Sequence, residues 1–409
     1  MTNQRTISAA IALFSISGLA HAQSIELLPA LSGQSTAQDI NNAGVVVGQS
    51  TNVLGHTVAV MWDANGTPTQ LGSLDGETIS WAESINNNGV IVGYCEDGDF
   101  LRRATLWAPG ESPFNLHNAM GAAGSSIPWD INDSGVIVGQ APLTPGFAKR
   151  FAWDSMAGSM ISGIPSSFMG SAIYGVNNAG EFVGSEFFFG DPDDANYYRP
   201  DGRGGYEDVL INPPGFIFSQ ARAINDSGTI IGHSGFNSTT SSWNACVFTG
   251  DDRDPIHPLG SLEGYDTSEG LDLNNNGMVV GYSWDGTFSG IPPRAWAWVD
   301  GTMYDLNDNL DDSSDFQVLL RATGVNDNGD IVGFGELKNG GLGSFIIRGF
   351  EPSSCDADFN TDGSLDFFDL SAFLDALGNK DRAADFSMDG EYDFFDVSAF
   401  LNLYSAGCP

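Results

Sequence analysis

A nine-residue unit recurs seven times in this chain and leaves few folds open to it. The unit is apolar-Asn-[Asn/Asp]-x-Gly-x-apolar-apolar-Gly, and its copies begin at Ile40, Ile85, Ile131, Val176, Ile224, Leu273 and Val325. The intervals between the Asn residues are 45, 46, 45, 48, 49 and 52, a period at which one supersecondary unit is copied along a chain. Each copy reads as four short strands. The first alternates small or apolar with polar residues, as in Ser35–Ile40 and Ser80–Ile85. Asn-x-x-Gly is a tight turn, because Asn starts turns and Gly accepts a positive φ. A β-branched strand follows, such as Val45-Val46-Val47 or Val90-Ile91-Val92, then an aromatic one, such as Val60-Met61-Trp62 or Phe151-Ala152-Trp153. A fourth ends near Leu71-Gly72-Ser73-Leu74 or Leu259-Gly260-Ser261-Leu262.

Four strands in each of seven repeats predict an all-β, seven-bladed β-propeller. The ends of the repeat region support closure. The last copy carries three strands and stops near Arg348, while Leu28-Pro29-Ala30-Leu31 mirrors the Leu-Gly-Ser-Leu that ends other copies. The N-terminal segment is therefore expected to complete the seventh blade and remove a free sheet edge. An open β-solenoid, the alternative, would not need complementary ends. The third-strand segments Arg150-Phe151-Ala152-Trp153 and Arg294-Ala295-Trp296-Ala297-Trp298 resemble the His-Ala-Phe strand of the HAF family of extracellular repeats, although the His is absent. That resemblance spans about residues 24–350 and implies an exported β-rich protein with no defined reaction.

Export has its own signature. Arg5, an apolar stretch from Thr6 to Ala20, and Ala20-His21-Ala22 before Gln23 form a cleavable signal peptide over 1–22. No other window approaches the ~20 apolar residues of a spanning helix, so the mature chain is expected to lack a transmembrane segment. Net charge is −37, which excludes nucleic acid as a partner, since binding it needs clustered Lys and Arg. None of the four cysteines forms a Cys-x-x-Cys pair, so zinc is not expected. Cys95 and Cys246 lie in different repeats and read as buried thiols. Cys355 and Cys408 bracket the C-terminal segment, and export makes a disulfide between them chemically feasible.

Composition changes after a linker at 351–354. Residues 355–409 hold twelve acidic and two basic residues, and two twelve-residue loops start 27 residues apart, at Asp358 and Asp385. Calcium takes six to eight oxygens, and such a loop delivers them from positions 1, 3, 5, 7, 9 and 12 around a Gly at 6. The ligands are then Asp358, Asn360, Asp362, Ser364, Asp366 and Asp369 in the first loop. In the second they are Asp385, Ser387, Asp389, Glu391, Asp393 and Asp396. Each set would hold one Ca²⁺ ion, and each loop runs into an apolar helix. This duplicated half-EF-hand resembles a type I dockerin, and the Ala406-Gly407-Cys408 ending is similar to dockerin variants that close with Gly-Cys. The resemblance implies a small α-helical, dockerin-like domain that plugs into a cohesin-like anchoring protein. Loop positions 10 and 11, which help choose the partner in that family, are Phe367-Phe368 and Phe394-Phe395 here. They read either as an apolar docking surface or as filling of the small core.

The repeat body offers no nucleophile elbow, zinc helix or phosphate loop. The Asp-x-Asn runs within repeats, such as Asp272–Gly277, lack the later ligands and read as hairpins. Variable aromatic loops between second and third strands, at Glu186–Asp194 and Trp284–Phe288, are where a ligand would sit on a rigid scaffold. The expected function is a secreted or surface-attached, calcium-dependent, dockerin-anchored propeller that binds a glycan or protein ligand without catalysis. A glycoside hydrolase component of a cohesin–dockerin assembly and a structural or adhesive surface protein are the alternatives.

Overall fold

The computed structural model describes residues 24–96, 98–143, 149–165, 171–186, 194–211, 218–235, 242–248, 256–286, 290–351, 357–360, 364–380, 384, 386 and 392–406. The export signal, Cys355, Cys408, Asp362, Asp385, Ser387, Asp389 and Glu391 lie outside these residues. So do most of the linker and of the 186–194 loop.

Seven four-stranded antiparallel sheets form the blades of a β-propeller. Blade one runs through Ser35–Ile40, Val46–Thr51, Thr57–Trp62 and Pro68–Gln70, and the next five follow the same up-and-down order. In blade seven the strands Phe316–Val325, Ile331–Leu337 and Leu342–Ile347 are completed by Ile25–Leu28, which pairs antiparallel with Leu342–Ile347. The N-terminal segment does supply the missing strand, although that strand ends at Leu28, the first residue of Leu28-Pro29-Ala30-Leu31. The leucine pattern marks the chain leaving the sheet. Leu28 and Leu74 are buried, and the indole N–H of Trp62 donates to the Pro29 carbonyl at 2.7 Å.

Apolar side chains between neighbouring blades form the core in separate clusters. One joins Val47 and Ala59 of blade one to Ala82, Ile85 and Ile91 of blade two, and another joins Leu28 and Ile346 of blade seven to Ala37 and Val60 of blade one. Each sheet thus buries both faces against its neighbours. Serines at the start of the inner strands tie blades together as well: the hydroxyls of Ser80, Ser126, Ser219 and Ser268 accept the N–H groups of Ala59, Ala104, Ala195 and Ala245 of the preceding blade.

Two helices, Phe367–Gly378 and Phe394–Ala406, follow the propeller strands. Their own core is aromatic. Phe373 and Phe400, 27 residues apart, stack face to face at 4.0 Å, and Phe359 and Phe386 meet them edge-on. No helix among the described residues is long and apolar enough to cross a membrane.

Candidate functional site

The repeated Asn builds one end of the propeller axis. Its Oδ1 accepts the N–H groups of its own turn, as Asn41 does from Ala43 and Val45. Its Nδ2 donates to the carbonyl of the Asn in the next blade: Asn41 to Asn86, then Asn132, Asn177, Asn225, Asn274, Asn326 and back to Asn41, all at 2.9–3.1 Å. The following residue forms a second closed circle. The N–H groups of Asn42, Asn87, Asp133, Asn178, Asp226, Asn275 and Asp327 each donate to the side-chain oxygen of the next member at 2.8–2.9 Å. The motif that recurs is therefore a ring of structural hydrogen bonds around a 150 Å³ cavity.

The second motif glycine has another cause. At Gly48, Gly93, Gly139, Gly184, Gly232, Gly281 and Gly333 a Cβ would overlap a carbonyl oxygen of the adjoining inner strand. That strand bulges toward the glycine in every blade. The pairing register skips one residue: Gln38, Glu83, Trp129, Tyr174, Arg222, Leu271 and Thr323 in turn. A bulge leaves its extra residue outside the ladder and re-aims its side chain. All seven of these residues line one cavity of 240 Å³ on the axis. They are chemically unlike one another: an amide, a carboxylate, two aromatic rings, a guanidinium, an aliphatic chain and a hydroxyl. Sequence reasoning passed over this column and looked to the outer loops. The signal that could have found it is the inner-strand position three before each Asn, filled by a different residue type in each of the seven repeats.

Four carboxyl groups border the same cavity. Asp39, Asp130 and Asp272 join blades: Asp39 accepts from Ile40 and Ile85 N–H, Asp130 from Ile131 and Val176, Asp272 from Leu273 and Val325. Burial raises all three carboxyls, and Asp39 reaches about 7, with the charge of Asp130 adding to the effect of burial. Glu83 has no hydrogen-bond partner among the described residues, and burial pushes it to about 7 against the opposing charge of Arg102. Arg222 lies over the Tyr174 ring at 4.9 Å, with Glu269 at 4.0 Å. The Nε of Arg222 and the indole Nε1 of Trp129 are buried without a partner among the described residues.

Other aromatic side chains pair within and between blades. Trp81 stacks on Tyr94 at 4.8 Å, Tyr282 on Trp284 at 5.1 Å, and Trp243 meets Trp284 edge-on at 5.2 Å. Trp284, Asp285 and Gly286 are the described part of the aromatic loop expected at 284–288; Thr287 and Phe288 lie outside the described residues. Cys95 and Cys246 are both free and buried, as expected, and burial raises both thiols.

In the tail, Asp366 and Asp369 form a capping box at the first helix. Asp366 Oδ1 accepts from Phe368 N–H at 2.7 Å, and Asp369 accepts from Asp366 N–H at 2.8 Å and from Asn360 N–H at 3.2 Å. Asp393 and Asp396 repeat this arrangement, with Phe395 N–H to Asp393 at 2.7 Å and Asp393 N–H to Asp396 at 2.9 Å. Asp369 and Asp396 are fully buried. Burial alone would raise Asp369, but N–H donation from Asp366 and Asn360 outweighs it and holds the carboxyl below its usual range. Among the described residues no three Asp, Glu, His or Cys side chains meet as a metal-binding group, five of the twelve expected ligands lying outside them. Phe367, Phe368, Phe394 and Phe395 are 71, 65, 74 and 65 % exposed. The core position belongs instead to Phe359 and Phe386, the second residue of each loop.

A family described as "Protein of unknown function (DUF3466)" matches residues 24–105. No curated protein matches the sequence. Among solved structures, the β-propeller domain of the trilobed protease from Pyrococcus furiosus is similar at 11% identity and a TM-score of 0.50, over 78% of this chain and 96% of that one. A puromycin hydrolase S511A mutant is similar at 14% identity and a TM-score of 0.51, over 78% of this chain. This chain spans 53% of the hydrolase's length. At such identities the likeness concerns the propeller fold alone.

Proposed function

We propose that the chain is an exported, non-catalytic β-propeller that binds a glycan or protein ligand at its axial cavity and is displayed through a calcium-dependent, dockerin-like tail. The observation that carries this reading is the column of seven unlike side chains gathered in one cavity beside a turn that repeats in every blade. A scaffold needs no such diversity, whereas recognition does. Catalysis is disfavoured by the state of the carboxyls. Glycoside hydrolysis uses two carboxyl groups flanking the bond, and here three of the four are committed to backbone N–H groups of two blades, leaving Glu83.

For the tail, the support is chemical. Seven of the twelve proposed ligands are described, and the donor set is oxygen alone, which suits a hard cation. Asp369 is buried and its partners are backbone N–H groups and Asp358, so a divalent ion would supply the positive charge that the site lacks. Calcium would order each loop against its helix and hold the two exposed Phe pairs as one apolar surface for a cohesin-like partner. Export through the 1–22 signal and closure by Cys355–Cys408 complete this reading.

Incubating the purified chain with a panel of polysaccharides tests it, with retained protein and released reducing sugar measured together. Retention without release is expected. Release that disappears in a Glu83→Gln variant would favour the hydrolase reading.

A further inference from the structure

Resting on the ligand-binding reading above, we propose that the 240 Å³ axial cavity takes the terminal unit of a neutral glycan, inserted end-on along the propeller axis. The axis holds two separate cavities that share no lining residue, and the Asn circles surround the other one. We read the cavity as a pocket for a chain end rather than a passage for a chain. Its volume lies below the ~300–1,000 Å³ of sites that enclose drug-sized ligands, which matches a single ring.

Two donors without a hydrogen-bond partner among the described residues, and the carboxyl of Glu83, define what that ring must carry. Trp129 Nε1 and Arg222 Nε are donors in need of acceptors. Glu83 is an acceptor in need of a donor, or, when protonated, able to give one hydrogen. A hydroxyl both donates and accepts, so a polyol ring satisfies all three without bringing charge. The rings of Trp129 and Tyr174, 5.9 Å apart and inclined at 52°, offer faces on which the C–H surface of a sugar packs. Charge excludes one class: an anion would meet four carboxyl groups against a single guanidinium, which Glu269 already neighbours.

The test is isothermal titration of the full chain with neutral oligosaccharides of the cello-, xylo-, manno- and malto-series, beside amino-sugar and uronate counterparts. Trp129→Phe keeps the ring and removes the N–H, and is expected to weaken binding of the preferred neutral series by about tenfold with an unchanged unfolding midpoint. Met156→Ser, at an exposed turn position that does not line the cavity, should bind as the parent does. If Trp129→Phe does not fold, Arg222→Lys removes the second orphan donor and should give a similar loss. Equal binding by parent and variants would overturn the cavity assignment while leaving a ligand-binding propeller intact. Preference for an amino sugar, abolished by Glu83→Gln, would overturn the neutral ligand. Failure of every oligosaccharide to bind would overturn the glycan itself, and retention of a protein ligand under the same conditions would show that the propeller still binds.

Discussion

At the scale of single residues, the same motif holds two kinds of glycine with different physical reasons. Gly277 has a φ of 88°, which L-residues adopt at a cost of about 1–2 kcal/mol, and nothing stands near its missing Cβ. Gly281 has ordinary backbone, but a Cβ there would overlap the Glu269 carbonyl and stand 2.7 Å from the Trp296 ring. Gly281→Ala should therefore cost more than Gly277→Ala, about 2–4 kcal/mol. Urea unfolding of the two variants checks this, and equal losses would contradict the bulge as the cause. Asn326 closes the hydrogen-bond circle by donating to the Asn41 carbonyl across the seam, and its Oδ1 accepts from Asn328 and Asp330 N–H. Asn326→Ala leaves those buried groups unmet and should destabilise the propeller by about 1–3 kcal/mol in the same measurement.

At the scale of strands and helices, the seam rests on one short strand. Ile25–Leu28 covers the edge of Leu342–Ile347, and Leu28 packs among Val60, Trp62 and Ile346. Replacing Leu27 and Glu26 by proline removes the one of these two N–H groups that faces the neighbouring strand, exposes that edge and should lower the thermal midpoint and promote association, read by light scattering during a melt. A midpoint equal to the parent's would mean that blade seven does not need the strand. This element was legible in the sequence because complementary ends leave a visible gap and a visible surplus, Arg348 without a fourth strand and Leu28 ahead of the first repeat. Strand number and turn positions were legible for the same reason, since hydrophobic period and Asn-x-x-Gly act locally. The axial column was not. Glu83, Trp129 and Arg222 sit where simple alternation would turn a residue aside, and only the bulge permitted by Gly93, Gly139 and Gly232 carries them to the axis. In the tail, sequence left the Phe367-Phe368 and Phe394-Phe395 pairs open between core and surface. Spacing could not decide, because the competing Phe359 and Phe386 lie inside the loops, where ligands rather than core residues were sought.

At the scale of the whole molecule, closing seven blades around an axis concentrates acid. Glu83 is held near 7 by burial, well above an ordinary glutamate, and Asp39, Asp130 and Asp272 are raised in the same direction. Between pH ~4.5 and ~7 the folded propeller then keeps protons that the unfolded chain has released, so stability falls as pH rises through that window and levels off above it. Melting curves from pH 4.5 to 8 should show this decline, and Glu83→Gln should flatten it; a midpoint rising over the same range would contradict it. The tail has the opposite need, since its loops bind metal only as carboxylates. In the proposed function display of the propeller rests on such binding, and calorimetric titration of Ca²⁺ into the full-length chain tests it most directly. The account predicts saturable uptake of two ions, one for each loop, reduced to one by Asp369→Ala and to none when Asp396→Ala is added. No saturable uptake, or uptake indifferent to both substitutions, would contradict it.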